Sequence, residues 1–441
     1  MTGSTRRPPL AGARWAAASL ALAAAASAAQ YTVTELGSLG GTGTFPWRCN
    51  AQGEVTGWAF TATGDRRAFL WRGACPVPPE GCQIGIVDPG ISDTGWNEGR
   101  DINSAGLMAG WTQTAANVIP MAFAWRDGIR VDLGTFGGDR SEAWALNEAG
   151  QIVGMAETAA GERHAALWTV PCFPATADCP VTAQDLGTLG GIWGEALAIN
   201  GAGQVVGWAF NAVPLTRAFL WEAGLMTELD TLGGPYSWAY DINDSGQIAG
   251  AASIDDSTIH AALWVDGTAI DLGTLGGPSS RAWAINNHGA VVGGSDRDFA
   301  GQPGQQRAFI WEGDALVDLT DRIVGSAADR PIVRAHDIND RGQVVALRVE
   351  GGQIKAVLLT PVPELVICVL APIGGGSVAL EWTDLGAGWV YTVERQDLAT
   401  GVWAPAPPAE QWPVASAAWT DPTAGSTGVY LYRVRADWLG P

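Results

Sequence analysis

The sequence predicts an all-β protein: a seven-bladed β-propeller closed by its own N-terminal strand, followed by a small β-sandwich. Three observations lead to this fold class. An Asn is followed three residues later by a Gly seven times, at steps of 43, 44 or 53 residues, which suit four-stranded blades. The phrases between are short, apolar and β-rich, without a helical stretch. The chain also begins with a lone copy of the phrase that its last repeat lacks.

Each repeat contains the signals of four short strands. An Asn with a Gly three residues later is typical of a type I turn, here between two strands. A third strand reads Arg217-Ala-Phe-Leu-Trp221, and a fourth reads Gln184-Asp-Leu-Gly-Thr-Leu-Gly-Gly191 in the preceding copy. These strands are apolar on both faces, so each sheet has to be covered on both sides, as a blade between two blades is. The seven Asn are Asn50, Asn103, Asn147, Asn200, Asn243, Asn286 and Asn339.

The two ends of the repeat region complement each other. The segment from Tyr31 to Gly41 is a fourth-strand phrase with no first three strands before it. The seventh unit, from Ala335 to Thr360, has three strands and no fourth. We therefore expect a closed ring in which the N-terminal strand completes the last blade and protects its edge. An open solenoid is the alternative, but an open stack would not need a split unit.

Residues 1–29 have the pattern of a secretory signal peptide. Arg6, Arg7 and Arg14 form a basic start, an Ala-rich apolar run follows to Ala26, and small residues offer a cleavage site. A membrane anchor is disfavoured because the apolar run is too short to span a bilayer. We therefore expect a secreted or periplasmic protein with a propeller over residues 30–361 and a second domain over 362–441.

Six Cys fit an oxidising compartment. Four of them form two local pairs within inserted loops of the first and third units, and we expect each pair to be a disulfide: Cys75 with Cys82, and Cys172 with Cys179. Metal binding is the rival interpretation, although two thiols without a nearby His make a poor zinc site. Cys49 and Cys368 remain, and they either pair with each other or stay reduced.

The charge excludes some partners. The net charge is −20 with a single lysine, and an acidic surface disfavours nucleic acid and anionic membranes. Only 16% of residues are charged, which indicates a compact globular chain rather than a disordered acidic one. No later segment predicts a membrane span. We expect a monomer.

Calcium binding is the first candidate chemistry. Asp101-Ile-Asn-Ser-Ala-Gly106 begins like a calcium loop, with oxygen ligands at positions one and three and Gly at six. Positions nine and twelve are Ala109 and Thr112, so no closing carboxylate exists. A hairpin turn with an Asn cap explains the motif better. We predict no metal site and no cofactor.

Aromatic side chains are the second candidate. Six Trp lie near the passage from one unit into the next and are candidate ligand-facing residues on one rim: Trp47, Trp96, Trp144, Trp193, Trp238 and Trp283. Such Trp can form a platform for sugars, and packing within the blades is the alternative role. No catalytic motif emerges, and the His residues look structural, so no catalytic residue is predicted.

Two family resemblances accompany these patterns. The phrases Arg-Ala-Phe-Leu-Trp, Asp-Leu-Gly-Thr-Leu-Gly-Gly and Ala-Ile-Asn-x-x-Gly-Gln-Val-Val-Gly resemble the bacterial extracellular HAF repeat family over residues 31–360. That resemblance implies secretion and repetition, and no reaction. The C-terminal strands resemble a fibronectin type III domain, with Trp382 at its core Trp position and Tyr430 at its corner Tyr. The final strand of that domain looks short or absent.

The sequence favours a secreted, non-catalytic repeat protein that binds or scaffolds at the cell surface or in extracellular polymer. Its expected partner is a carbohydrate or a cell-surface protein. One alternative is a polysaccharide-active hydrolase or lyase with its site in the propeller channel. A structural spacer without a ligand is the other. Carboxylates clustered at one channel mouth would favour the enzyme, and aromatic residues without them would favour the binder.

Overall fold

The computed structural model describes residues 30–73, 84–91, 95–113, 118–171, 180–299, 302–312, 315–324 and 330–362, and six strands between 367 and 438. Within this part, the protein is all-β, as predicted, and the one helix is a 3₁₀ turn at Leu319–Arg322. The described residues include no helix that is long and apolar enough to cross a membrane. Residues 1–29 and the four Cys of the predicted disulfides, Cys75, Cys82, Cys172 and Cys179, lie outside the described residues.

The chain opens with strand β1 (Tyr31–Glu35), and units of short strands follow. Unit 1 contains β2 (Gly40–Cys49), β3 (Val55–Thr61), β4 (Arg66–Arg72) and β5 (Gly85–Val87). Unit 2 contains β6 (Asn97–Ile102), β7 (Met108–Thr112), β8 (Met121–Arg126) and β9 (Ile129–Asp132). Unit 3 contains β10 (Gly137–Leu146), β11 (Gln151–Thr158), β12 (Arg163–Thr169) and β13 (Thr182–Gly187). Unit 4 contains β14 (Gly190–Ile199), β15 (Val205–Asn211), β16 (Thr216–Glu222) and β17 (Leu225–Glu228).

Three further units complete the repeat region. Unit 5 contains β18 (Ser237–Ile242), β19 (Ile248–Ser253), β20 (Ile259–Val265) and β21 (Thr268–Gly273). Unit 6 contains β22 (Ser280–Ile285), β23 (Val291–Phe299), β24 (Gln302–Glu312) and β25 (Ala315–Asp318). Unit 7 contains β26 (Ile332–Ile338), β27 (Val344–Glu350) and β28 (Gln353–Pro361). In units 1 to 6, consecutive strands pair antiparallel in chain order. Units 3 and 4 also share one parallel bridge, between Arg163 and Trp193.

The N-terminal strand pairs with the last strand of the repeat region. The sheet of unit 7 has the order β1-β28-β27-β26, and its antiparallel register runs from Tyr31 opposite Pro361 to Glu35 opposite Val357. Tyr31 is only 2% exposed. The predicted docking of the leading segment beside the stretch that ends at Thr360 is therefore observed, and the first and last strands of the repeat region share one sheet.

The Asn–Gly motif folds as the predicted turn. In unit 4, the Asn200 side-chain oxygen accepts from the backbone N–H groups of Ala202 (3.1 Å) and Gln204 (3.0 Å). The N–H of Gly203 donates to the Asn200 carbonyl at 3.1 Å, and this Gly has φ of 81°. Because side chains with a Cβ rarely adopt that φ, the turn requires Gly at this position.

The core lies between neighbouring units. Strand β19, in the middle of its sheet, is buried at every position, because one face packs against each adjacent unit. One buried cluster joins Val55 and Phe69 of unit 1 to Val345 and Leu358 of unit 7. Apolar side chains of the first and last units thus exclude water from the same layer.

The fourth-strand phrase is shared between two units. Its copy Val131-Asp-Leu-Gly-Thr-Phe-Gly-Gly138 begins in a fourth strand and continues into the first strand of the next unit. In the structure, β9 ends at Asp132 and β10 of the next unit begins at Gly137. Gly134 and Gly137 have φ of 79° and 99°, so the chain changes direction there instead of continuing in a strand.

The C-terminal part contains two three-stranded sheets among its described strands. These strands are β29 (Ile367–Ile373), β30 (Ser377–Trp382), β31 (Trp389–Asp397), β32 (Trp403–Pro405), β33 (Ala418–Asp421) and β34 (Tyr430–Trp438). One sheet has the order β29-β30-β33, and the other has β32-β31-β34. Cys368 belongs to β29, and its side chain is outside the described part. Cys49 is buried and free.

Candidate functional site

The residue three positions before each repeat Asn lines one cavity of about 450 Å³, which we call the aromatic cavity. Each of these residues lies near the end of the first strand of its unit. Because side chains alternate along a strand, the same position points the same way in every copy. The seven residues are Trp47, Arg100, Trp144, Leu197, Tyr240, Trp283 and His336. The cavity therefore receives one side chain from every unit.

Aromatic rings and one guanidinium form much of the wall. The Arg100 guanidinium carbon lies 4.4 Å from the Trp47 ring centre and 4.2 Å from that of Trp144, so two indoles sandwich the cation. The rings of Tyr240 and Trp283 are 4.5 Å apart. This wall is stacked and pre-ordered, which suits recognition of a flat or ring-shaped ligand.

The position five residues before the Asn carries opposite charges in different units, and two of its residues, Glu195 and Arg334, line the aromatic cavity. Units 2, 3 and 4 place carboxylates there, and units 6 and 7 place guanidiniums: Glu98, Glu142 and Glu195 against Arg281 and Arg334. Glu98 is fully buried, forms ion pairs with Arg66 and with Arg100 (2.9 Å), and accepts a hydrogen bond from Trp47 Nε1 at 3.2 Å. Glu142 pairs with Arg140. The acidic side is thus largely compensated within the protein.

Burial shifts the pKa values of several groups at this cavity, among them Glu195, Tyr240 and His336. Burial, together with the Glu142 charge, raises the pKa of Glu195 to about 7, against the opposing charges of Arg163 and Arg140. Burial raises the pKa of Tyr240 to about 12. Burial also lowers the pKa of His336 to about 3, and nearby guanidiniums add to this. At neutral pH the imidazole and the phenol are therefore neutral, and Glu195 is divided between its two forms.

Arg48 forms the floor of the aromatic cavity and also lines a second cavity, of about 340 Å³, on the side of the Asn turns. Its Nη1 lies 2.8 Å from the Asp337 carboxylate and 3.1 Å from that of Asp241. Asp101 faces the same second cavity and accepts from the backbone N–H of Leu146 at 2.9 Å. One cation thus stands among three carboxylates between the two cavities.

Burial and the mutual charges within this cluster shift the pKa values of its members. The Asp241 and Asp337 charges outweigh burial and hold the pKa of Arg48 well above its usual range. Burial raises the pKa of Asp101 to about 7 and raises that of Asp241, while the Arg48 charge opposes both shifts. Arg48 stays charged, and Asp101 carries a proton through part of the neutral range.

The repeat Asn side chains form a hydrogen-bonded circuit around the second cavity. Each Nδ2 donates to the backbone carbonyl of the Asn in the next unit, as Asn50 does to Asn103 at 3.1 Å. The same bond recurs for Asn103, Asn147, Asn200, Asn243 and Asn286. Asn339 then donates to the carbonyl of Asn50 at 2.9 Å. The seven donors therefore link all units in turn.

The structure separates the six predicted ligand-facing Trp into two groups. Three of them, Trp47, Trp144 and Trp283, line the aromatic cavity. The other three lie elsewhere: Trp96 is 50% exposed, Trp193 is 40% exposed and stacks on Phe210, and Trp238 stacks on Tyr236. The groups differ in offset, because the first group stands three residues before the Asn and the second stands five or seven.

Sequence reasoning missed the charged residues between the two cavities. Asp101 was considered as the opening of a calcium loop, and Asp241 and Asp337 at the same repeat position pair with Arg48. The sequence did contain a signal. The position two residues before each repeat Asn holds Arg once, Asp three times and Ala three times, so one cation and three carboxylates recur at the same place in the repeat. Among the described residues, no group of three or more His, Cys, Asp or Glu is placed to hold a metal ion.

Comparisons with known proteins address the fold more than the site. A family model described as "Protein of unknown function (DUF3466)" matches residues 228–353. No curated protein matches the sequence. The β-propeller domain of the trilobed protease from Pyrococcus furiosus is 12% identical with a TM-score of 0.40, covering 66% of this chain and 90% of that one.

Two other solved structures are similar at the same level. TolB from Acinetobacter baumannii is 10% identical with a TM-score of 0.35, covering 57% of this chain and 63% of that one. A puromycin-hydrolyzing peptidase from Mycobacterium tuberculosis is 11% identical with a TM-score of 0.46, covering 77% of this chain and 57% of that one. This chain spans less than two thirds of these two proteins, and the similarities transfer no residue role and no activity.

The two resemblances inferred from sequence phrases need correction. The matching family model is DUF3466 over residues 228–353, and neither a HAF repeat family nor a fibronectin type III domain is found. The physical reason is that both rested on packing patterns. Phrases such as Arg-Ala-Phe-Leu-Trp satisfy a strand buried between two sheets, and alternating strands satisfy any half-buried sheet. Such patterns identify an architecture more securely than a family.

Proposed function

We propose that this chain is a closed, seven-bladed β-propeller, secreted through residues 1–29, that binds carbohydrate in the aromatic cavity. The β1–β28 pairing and the Asn circuit that returns from Asn339 to Asn50 support the closed ring. A closed ring fixes the seven lining side chains relative to one another, and rigid lining favours specific binding.

The observation that carries the binding function is the composition of the cavity wall. Trp47, Trp144, Tyr240 and Trp283 supply aromatic surfaces, and charged and polar groups stand between them. Sugars present apolar C–H faces and a rim of hydroxyl groups, which match stacked rings and hydrogen-bonding side chains. The volume of about 450 Å³ lies within the range of small-molecule sites.

A glycan array followed by titration calorimetry on the best-bound sugar tests this proposal. We expect Trp144→Ala to reduce affinity at least about tenfold, because the cavity loses one aromatic face. Trp96→Ala is the matched control, since Trp96 is exposed and lies outside the cavity. Circular dichroism verifies that each variant is folded. Equal affinities for the two variants, or no sugar bound by the folded wild type, would contradict the proposal.

Glu195 favours a second function, that of a polysaccharide-active hydrolase or lyase. Its pKa of about 7 is that of a general acid poised at neutral pH, and the neighbouring Glu142 offers a second carboxylate. Glu142 is held by Arg140, which makes it a poor base or nucleophile as it stands. Product formation from the sugar that binds, lost in Glu195→Gln with affinity retained, would establish the enzyme over the binder.

A further inference from the structure

Arg334 is the cavity arginine that lacks a carboxylate partner. Its Nε and Nη2 donate to one oxygen of Gln306, at 3.2 and 2.7 Å. Within the described ranges, no carboxylate lies within 4.0 Å of its guanidinium, and the edge formed by Nη1 and Nη2 has no further hydrogen bond to the protein. That edge is the one that binds a carboxylate through two parallel hydrogen bonds.

A second guanidinium strengthens the positive charge on this wall. Arg281, at the same repeat position in the preceding unit, opposes the rise in the pKa of the Tyr240 phenol and has no carboxylate partner among the described residues. Burial and the Arg281 charge lower the pKa of Arg334, so the protein itself disfavours these two cations. Burying a cation without an anion is costly, and an anionic ligand would remove the cost.

The other arginines of the cavity are already neutralised. Arg100 binds Glu98 at 2.9 Å, and Arg48 binds Asp337 at 2.8 Å. Among the described lining residues, a ligand anion therefore finds its uncompensated cation at Arg334. The protein as a whole has a net charge of −20, so this wall is a local exception to an acidic chain.

Unpaired polar groups belong to residues that line the same cavity. The indole nitrogens of Trp144 and Trp283 and the Nε2 of His336 are buried without a hydrogen-bond partner among the described residues. The Arg334 guanidinium carbon lies 5.9 Å from the Trp283 ring centre, which places the positive charge next to an aromatic face. These groups are therefore available to form hydrogen bonds with oxygens of a ligand that enters the cavity.

We propose that the aromatic cavity takes a carboxylated sugar residue of the uronic acid type, with its carboxylate on Arg334 and its ring against Trp283. This inference rests on the proposed carbohydrate binding and adds the charge of the ligand. Hydroxyl oxygens of the sugar accept from the Trp144 and Trp283 indole N–H groups. The carboxylate supplies the charge that Arg334 and Arg281 lack.

Calorimetry on the purified protein with oligogalacturonate and oligoglucuronate, each beside its carboxyl-reduced neutral form, tests this inference. We expect at least one uronate to bind about tenfold or more tightly than its neutral form, with affinity falling as NaCl rises. Arg334→Gln should abolish that preference. Arg341→Gln is the matched control, because it removes the same charge from an exposed residue on the opposite, Asn-turn side.

The outcomes separate the two proposals. Equal binding of uronate and neutral forms, or an Arg334→Gln variant that keeps the preference, overturns the carboxylate inference and leaves carbohydrate binding intact. Binding of free acetate with the affinity of the uronate also overturns it, since the sugar would then contribute nothing. If the folded wild type binds none of these sugars and none on the array, both proposals fail.

Discussion

The Asn339 side-chain Nδ2 donates to the backbone carbonyl of Asn50 at 2.9 Å, across 289 residues of sequence. The same Asn339 caps its own turn, since its Oδ1 accepts from the N–H of Gln343 at 3.0 Å. One amide therefore completes a local turn and joins the last unit to the first. Because both polar ends are buried, neither bond is readily replaced by water.

Replacing Asn339 by Ala tests this double role. We expect a loss of about 2–4 kcal/mol in the free energy of unfolding, measured by urea titration, because buried N–H and C=O groups lose their partner. Asn211→Ala is the matched control. Asn211 caps an outer turn in the same way, through Val213 and Leu215, without an inter-unit bond. Equal losses in the two variants would show that the bond to Asn50 contributes nothing.

The turns could be predicted from sequence because their determinants are local. Asn200 and Gly203 stand within one turn, and their preferences for side-chain capping and for positive φ are properties of single residues. The pairing of β1 with β28 was also within reach, since Tyr31 opens a strand phrase that the seventh unit lacks. Because the repeat occurs seven times, its copies could be compared with one another, and that comparison showed both the turn motif and the missing strand of the seventh unit.

The charged cluster around Arg48 could not be predicted in the same way. Arg48 meets Asp241, 193 residues away, and Asp337, 289 residues away, and each contact depends on the position of every unit between them. The same limit applied to the aromatic residues. Trp144 and Trp193 both stand near a unit boundary in the sequence, and only their offset from the Asn decides which one lines the cavity.

The pairing of β1 with β28 predicts different effects of Pro at neighbouring positions. The Tyr31 carbonyl accepts a hydrogen bond from the Val324 N–H, so the polar backbone groups of Tyr31 face away from β28. Because this direction alternates along a strand, odd-numbered residues of β1 point their N–H groups away from β28. Even-numbered residues point theirs toward it. We expect Thr34→Pro to lower the free energy of unfolding by about 3 kcal/mol, since a ladder bond is lost. Val33→Pro keeps the ladder and should lose about 1 kcal/mol, mainly through packing. Urea titration compares them, and similar losses would argue against this register in solution.

Arg48 is expected to stabilise the fold by compensating the buried carboxylates around it. Arg48→Met leaves Asp241 and Asp337 buried without their cation, and removing one partner of a buried pair costs about 3–5 kcal/mol. Urea titration at pH 8 measures the loss. Arg330→Met is the control, because Arg330 pairs with Glu350 at the surface and should lose less than about 1 kcal/mol. If the two variants lose equal amounts of unfolding free energy, the buried cluster does not stabilise the fold.

Glu195 predicts a pH dependence of stability. Its pKa rises from 4.5 in the unfolded chain to about 7 in the folded protein, with burial as the main cause. Between these values the folded state holds a proton that the unfolded state has released. The contribution of Glu195 to the free energy of unfolding is therefore fully present below pH 4.5, and it is lost as the pH rises through 7. Glu195→Gln keeps a neutral side chain, so it should be more stable than the wild type at pH 8, by at most about 3 kcal/mol.

Urea titrations at pH 5 and pH 8 check this expectation through the difference between variant and wild type, in which the other titrating groups cancel. The advantage of Glu195→Gln should shrink toward pH 5, because Glu195 is protonated in the folded wild type there. Glu222→Gln, an exposed change in the same unit, is the control for the substitution itself. A Glu195→Gln difference that does not vary with pH would mean that the Glu195 carboxyl titrates as a solvated group, which would also remove the reason for considering it a general acid.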